Sequence, residues 1–334
     1  MKISIGMATF NGESFIAAQL ASLGAQSRLP DELIVTDDQS TDATVAIVRD
    51  FARTAPFSVR VETNPQRLGV AQNFSRALSQ CSGDLVLPSD QDDVWLPQKI
   101  SRLEMTARSH PAKACFINDA LMVDASLNPT GTTKRGHIRA AGLPDEAMVM
   151  GCCCAFRSSL LCWLLPVPGS QPAHDNWLVQ MADLLDLTVR LDDSLQYYRR
   201  HGRNVSDFLV NRLEVPGAAA RMGERIRGFY ARVTRPGGLA TEQQFLESAV
   251  RRMLEHTNEM EGLLGRAGAE RALSAVQTRL EFLSNRQVIR AMPRYRRLPE
   301  ICTLWRRGGY LATGKTAGAL KDLLISARHE EPTS

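Results

Sequence analysis

The chain has no apolar run of the roughly 18 residues needed to cross a bilayer. Its best candidate, "LLCWLLPVPG" from Leu160, is too short and stops at prolines, so no membrane-spanning helix is expected. The opening "MKISIGMATF" reads as a strand and lacks the apolar core and cleavage site of a signal peptide. A cytoplasmic location is therefore expected. The seven cysteines contain no C-x-x-C pair, and Cys152, Cys153 and Cys154 are adjacent, so they cannot easily converge on one zinc. They read as small buried thiols in a reducing compartment. No internal repeat or low-complexity tract is evident, and no glycine-rich triphosphate loop follows the first strand.

What is present is a globular composition and an uneven charge. A length of 334 residues predicts two domains. The net charge of +4 hides a gradient. Residues 1–209 carry 19 Lys/Arg against 23 Asp/Glu, and residues 210–334 carry 21 against 13. Within 286–328 there are ten basic residues and two acidic ones. The basic excess is local, which argues against a nucleic-acid-binding protein and points to an anionic surface for the C-terminal end.

The first two hundred residues alternate strand and helix signals. "ISIGMATF", "ELIVTDD", "SVRVET" and "DLVLPSD" read as strands, each followed by a helical stretch. Such alternation predicts an α/β domain with a mainly parallel sheet. Ligands bind such sheets outside the carboxyl ends of the strands, where the polar chemistry here collects. Residues 120–150 are less regular, and "NPTGTTKRGHIRAAGLPDE" within them reads as a long mobile loop with a basic segment; long loops at such an edge often cover or bind ligands. Beyond about residue 205, "EQQFLESAVRRMLEHTNEMEGLLG" and "AERALSAVQTRLEFLS" have helical periodicity and read as an αα-hairpin. The expected division is 1–210 and 211–334.

Four segments carry the chemistry. "TDDQSTD" places Asp37 and Asp38 at a strand end; it fits a capped turn, or carboxylates that accept the N–H of a pyrimidine base. "SDQDD" crowds Asp90, Asp92 and Asp93 after an apolar strand. A solvated turn is one reading, and hard oxygen ligands for Mg²⁺ or Mn²⁺ are the other. In "PAHDNWL", Asp175 suits either a helix cap or a general base. "YYRRHGRNVS" brings His201, which reads as a surface histidine or as a nitrogen ligand completing the acidic cluster.

In this order the segments resemble glycosyltransferase family 2, whose catalytic domain has the GT-A fold, a Rossmann-like nucleotide-sugar-binding domain. The opening "ATFNGESFIAAQLASLGAQS" and "NPQRLGVAQNFSRAL" are similar to further segments of that family, and the resemblance covers about residues 1–210. "SDQDDVW", "HDNW" and "YRRHGRNVS" look most like its rhamnosyltransferase-type branch, which builds bacterial surface polysaccharides, including lipopolysaccharide. The resemblance implies that Thr9 and Asp38 hold the base, with Asn11 and Asp37 on the same nucleotide-binding edge. It implies Asp90 near the ribose or metal, Asp92 and His201 as metal ligands, Asp93 and Trp95 shaping the donor pocket, and Asp175 as the base.

The implied reaction is an inverting transfer of a sugar, such as L-rhamnose, from a dTDP- or UDP-sugar to a saccharide or lipid-linked acceptor. The basic C-terminal helices would then touch the anionic inner membrane, or pack on the catalytic domain or on a second copy in a homodimer. A sugar nucleotidyltransferase is the rival enzyme, but it would want the triphosphate loop that "ATFNGESF" does not supply. A non-catalytic nucleotide-sugar-binding assembly protein is the other rival, and it would want one acidic motif broken.

Overall fold

The structure is a computed structural model that describes residues 1–171, 173–201, 238–311, 318–319 and 322–323. The chain divides into two compact units, Met1–Pro216 and Gly217–Ser334. The expected boundary at 210/211, and the end of "YYRRHGRNVS", lie outside the described residues.

The first unit is built on one nine-stranded sheet. β1 (Ile3–Thr9), β2 (Glu32–Asp37), β3 (Ser58–Thr63) and β4 (Leu85–Ser89) are its parallel half, in the order β3-β2-β1-β4. These strands are short and apolar because both faces are covered: Ile3, Ile5, Met7, Leu33, Val35, Leu85 and Leu87 are buried. Helices α1 (Ile16–Gly24), α2 (Thr44–Ala52), α3 (Val70–Ser79) and α4 (Lys99–Ser109) intervene between or follow the parallel strands. Leu20 and Leu23 of α1 and Ile100 and Leu103 of α4 join the same core. The register pairs Thr9 with Asp37 and Asp37 with Thr63, so the strands end together and their polar termini share one edge.

The other half is mixed. β5 (Val94–Trp95), β6 (Cys115–Val123), β7 (Pro129–Thr133), β8 (Cys154–Arg157) and β9 (Thr188–Arg199) extend the sheet. β8 runs antiparallel to both β4 and β6, β9 is parallel to β6, and β5 and β7 pair antiparallel with β9 and β6. The expectation of an irregular 120–150 span with a mobile loop over "NPTGTTKRGHIRAAGLPDE" is corrected here. That span contains the end of β6, all of β7 and α5 (Lys134–Ala140). A bulged hairpin with Gly131 at φ +78° hid the period-two alternation. α6 (Ser158–Leu164) and α7 (His174–Leu184) complete the unit.

The second unit is helical: α8 (Gly238–Glu255), α9 (Thr257–Leu264), α10 (Arg266–Ala291) and α11 (Arg294–Arg306). α8 and α10 pack together as the expected hairpin, but its first arm breaks at His256 into α8 and α9, and Gly265 at φ +70° makes the turn into α10. Part of the basic run faces inward. Arg286 and Arg290 pair with the fully buried Asp322 carboxylate at 2.7 Å, and Arg297 donates to the Asp322 carbonyl at 3.0 Å. Arg294, Arg296, Arg306 and Arg307 are exposed on or just past α11, beside exposed Tyr295, Leu298 and Trp305. No helix among the described residues is long and apolar enough to cross a membrane.

Candidate active site

The ends of β1, β2 and β4 open onto a cavity of about 880 Å³. At the end of β1 the chain turns through Asn11 at φ +46°, a left-handed conformation that Asn tolerates. Its Oδ1 accepts from the Thr41 N–H at 2.9 Å, which ties this turn to the loop after β2. Gln91, between two of the aspartates, fastens the turn from the other side. Its Oε1 accepts from the Phe10 N–H at 3.0 Å and its Nε2 donates to the Phe10 carbonyl at 2.9 Å. Gly12 is needed there, because a Cβ would lie 2.3 Å from Gln91 Oε1.

The two carboxylates after β2 part company. Asp37 is fully buried and accepts from Thr9 Oγ1 at 2.9 Å, Ser40 Oγ at 2.5 Å and the Ser40 N–H at 2.8 Å. It is structural support and does not line the cavity. Asp38 does line it. Burial raises its pKa, but the Leu68 N–H, Asn64, the Gly69 N–H and Arg67 together hold it below the ordinary carboxylate value. Thr9 and Asn11 line the cavity beside it.

After β4 the three aspartates also separate. Asp90 and Asp92 line the cavity. Asp93 is fully buried, accepting from Gln196 Nε2 at 2.7 Å and the Arg199 N–H at 3.3 Å. Trp95 sits in the core with the Lys99 ammonium 3.8 Å from its ring centroid. Asp93 and Trp95, expected to shape the donor pocket, do not line this cavity: Gln196 and Arg199 of β9 hold the Asp93 carboxylate, and Trp95 is packed in the core. Burial, then the charge of Asp92, pushes Asp93 up to about 7; burial, then Asp92 and Asp93, raises Asp90 well above its ordinary value.

Asp92 meets His201 from the far end of the unit, with Oδ2 2.9 Å from Nε2. The imidazole stacks on Phe15, ring centroids 4.3 Å apart, which fixes its plane. One hard oxygen and one nitrogen converge at the cavity wall beside Asp90, a donor set that suits a Mg²⁺- or Mn²⁺-sized cation. Asp90, Asp93 and Cys152 also place ligand atoms within 4.8 Å of one another. That trio is less suited to a hard cation: the Cys152 thiol is pushed up by its hydrogen bond to Cys153 and by burial, so it stays protonated.

Asp175 lies in the first turn of α7, where the helix dipole favours a carboxylate. Its Oδ2 accepts from the Gly151 N–H at 3.2 Å and its Oδ1 from the Asn176 N–H at 2.8 Å. His174 is buried and stacks on Phe74, centroids 3.9 Å apart; burial lowers its pKa, so it is neutral near pH 7. Gly151 admits this arrangement, since a Cβ there would lie 2.5 Å from His174 Nε2 and 3.4 Å from the Asp175 Cβ. Asp175, Asp92, His201, Asp90, Asp38, Asn11 and Thr9 all line the one cavity. Gln91, Gly151, Lys134 and Tyr198 are site residues the motifs did not single out; the only sequence signal for Gln91 was its place inside the acidic run.

Known proteins share part of this sequence and the fold. Residues 4–162 match the family described as Glycosyl transferase family 2. A dTDP-rhamnosyl transferase, RfbG, of Shigella flexneri is 35% identical over 98 residues, 28% of this chain and 34% of its own. An Escherichia coli enzyme, WfgD, described as a UDP-Glc:alpha-D-GlcNAc-diphosphoundecaprenol beta-1,3-glucosyltransferase, is 33% identical over 98 residues, 29% of this chain and 38% of its own. The matched segments span about a third of the length of these curated relatives. Among solved structures, S. aureus TarS 1–349 in complex with UDP-GlcNAc superposes with a TM-score of 0.53 at 18% identity, covering 84% of this chain and 91% of that one. The fold is that of the GT-A glycosyltransferases, and residues 4–162 match glycosyl transferase family 2.

Proposed function

We propose that this chain is an inverting glycosyltransferase that moves a sugar from a nucleoside-diphosphate donor to a saccharide or lipid-linked saccharide in bacterial surface polysaccharide synthesis. The observation that carries this reading is the convergence of Asp175 with the Asp92–His201 pair in one cavity at the carboxyl edge of the parallel strands. The described activities of the relatives support it: one is a dTDP-rhamnosyl transferase, the other a UDP-Glc-dependent enzyme with a diphosphoundecaprenol-linked acceptor. A 6-deoxyhexose such as L-rhamnose is the donor sugar that the rhamnosyltransferase-type motifs favour, with dTDP as its nucleotide.

The residues divide the work. Thr9, Asn11 and Asp38 bind the base and ribose edge of the donor, and the rigid Gln91-pinned turn keeps them in register. Asp92 and His201 would hold a divalent cation, with Asp90 beside them; such an ion supplies positive charge to the departing diphosphate. The Asp175 carboxylate takes the proton from an acceptor hydroxyl as that oxygen forms its bond to the anomeric carbon. The bond from that carbon to the diphosphate breaks on the opposite face, so one displacement inverts the centre. General-base catalysis of this kind is typically worth about 10²–10⁴-fold. The hydrogen bond from Gly151 orients one carboxylate oxygen and leaves lone pairs for the acceptor proton.

The exposed face of α11 supports contact with an anionic membrane surface. Tyr295 and Leu298 are 77% and 56% exposed, with Trp305 and four exposed arginines nearby. That combination of aromatic, apolar and basic side chains suits an interfacial helix beside a lipid-linked acceptor. The test of the function is a panel of dTDP-, UDP- and GDP-sugars with Mg²⁺ or Mn²⁺. Sugar transfer from one donor, lost in Asp175→Asn, supports the reading; a chain that turns over none of them contradicts it.

A further inference from the structure

A cavity built for a diphosphate has an electrostatic problem here. Four of its lining side chains are aspartates, Asp38, Asp90, Asp92 and Asp175, and a phosphate-bearing ligand adds more negative charge. The lining also includes two formal cations, Arg67 and Lys134. Arg67 is exposed and its guanidinium lies 3.9 Å from the Phe10 ring centroid, at the rim. Lys134 is 5% exposed.

We propose that Lys134 is a phosphate-binding residue of this cavity, framed by Tyr198 and Arg200. This deepens the glycosyltransferase reading and rests on it for the source of the phosphate. The Lys134 ammonium lies 5.9 Å from the Tyr198 ring centroid, and the Arg200 guanidinium lies 5.8 Å from the same ring. Arg200 Nη1 also donates to the Tyr198 hydroxyl at 3.3 Å. Two like charges are thus brought to one aromatic side chain that itself lines the cavity. Arg200 stands outside the cavity lining, so Lys134 is the buried cation that faces a ligand there.

The scaffold holds the group firmly. β6 pairs on one side with β7, Leu121 opposite Thr133, and on the other with β9, Met122 opposite Tyr198. Lys134 follows Thr133 directly, so one strand positions both the ammonium and the ring. Ile138, one turn further along α5, lines the same cavity, and Val70 and Phe74 line it from α3. Apolar walls lower the local dielectric and strengthen a charge-assisted bond to phosphate oxygen. Burial lowers the Lys134 pKa to about 8, against the raising effect of Cys153, and a bound phosphate would hold the ammonium charged.

Two sources share this chemistry: the donor's diphosphate and the phosphate of a lipid-linked acceptor. The test is equilibrium binding to the full chain of three probes: inorganic pyrophosphate in EDTA, UDP with Mg²⁺, and farnesyl diphosphate. Lys134→Met keeps the aliphatic stem and Lys134→Arg keeps the charge. Lys134→Met should weaken pyrophosphate at least about tenfold, the loss of one charge-assisted bond. Lys134→Arg should stay within about threefold, because the charge remains. A parallel loss on UDP assigns Lys134 to the donor, and a parallel loss on farnesyl diphosphate alone assigns it to the acceptor. Unchanged pyrophosphate affinity in Lys134→Met overturns the proposal, and so does a wild-type chain that binds none of the three. Should Lys134→Met misfold, Lys134→Gln and the retention by Lys134→Arg carry the same comparison. A chain that loses pyrophosphate in the variant yet transfers no sugar would sink the proposed function and leave this inference standing.

Discussion

Asp92 Oδ2 and His201 Nε2 lie 2.9 Å apart although 109 residues separate them in sequence. The contact closes the unit: the loop after β4 meets the chain just beyond β9, and Phe15 stacks on the imidazole to hold it. A divalent cation bound to this pair should stabilise the fold by mass action, by about 2.7 kcal/mol at a hundredfold excess over Kd, and so raise the melting temperature. Asp92→Asn and His201→Ala should each abolish the Mn²⁺-dependent shift measured by differential scanning fluorimetry. A full Mn²⁺ shift in both variants would place the ion elsewhere.

Gly151→Ala tests the positioning of the base. Its Cβ would meet His174 Nε2 at 2.5 Å, and the buried imidazole, stacked on Phe74, has little room to yield. We expect kcat to fall about 10²-fold, the order seen when a reacting group is misplaced by an ångström. Nucleotide affinity, measured by calorimetry, should stay within about threefold. If kcat and affinity fell together, Gly151 would serve the fold and not the base.

Asp38 gives a pH dependence with a defined sign. Its folded pKa is depressed, so its stabilisation is present above the unfolded carboxylate value of about 3.9 and is lost as pH falls through the folded value. Asp38→Asn should cost about 1–3 kcal/mol at pH 7, because the Leu68 and Gly69 N–H groups lose a charged acceptor. The variant's stability, followed by urea unfolding, should depend less on pH below about 4 than that of the wild type. Parallel profiles would show that Asp38 is not linked to folding.

The face of α11 can be tested without deleting it. Replacing Tyr295, Leu298 and Trp305 together by serine should weaken sedimentation with phosphatidylglycerol vesicles at least about tenfold. Neutral vesicles should bind weakly in every case, because the exposed arginines add attraction of about 1 kcal/mol each only near an anionic surface. Equal binding by wild type and the triple variant would point to packing on protein instead.

The parallel half of the sheet was legible in the sequence because its strands are buried on both faces and end in polar turns. The cavity residues Thr9, Asn11, Asp38, Asp90, Asp92, Asp175 and His201 were legible for a related reason: they follow strand ends or open a helix, where local pattern predicts position. What local pattern does not encode is which of two adjacent carboxylates faces the ligand. Asp37 turns away to Thr9 of β1 and to nearby Ser40, and Asp93 to Gln196 and Arg199 of β9, so three of these four donors come from other elements. The 120–150 span was misread for a similar reason. β6 and β7 pair with a bulge, and β6 takes its other partners, β8 and β9, from far along the chain. The inward turn of Arg286, Arg290 and Arg297 onto Asp322 was likewise hidden, because charge counting cannot tell a buried hub from a solvated face.

The central claim is that Asp175 removes the acceptor proton while the rest of the cavity binds the donor. It is tested most directly by measuring, on one preparation of Asp175→Asn, both metal-dependent nucleotide affinity and single-turnover sugar transfer with the donor identified by the panel. The account predicts nucleotide affinity within about threefold of wild type, with transfer reduced by about 10²–10⁴-fold. Transfer at the wild-type rate in Asp175→Asn would contradict it.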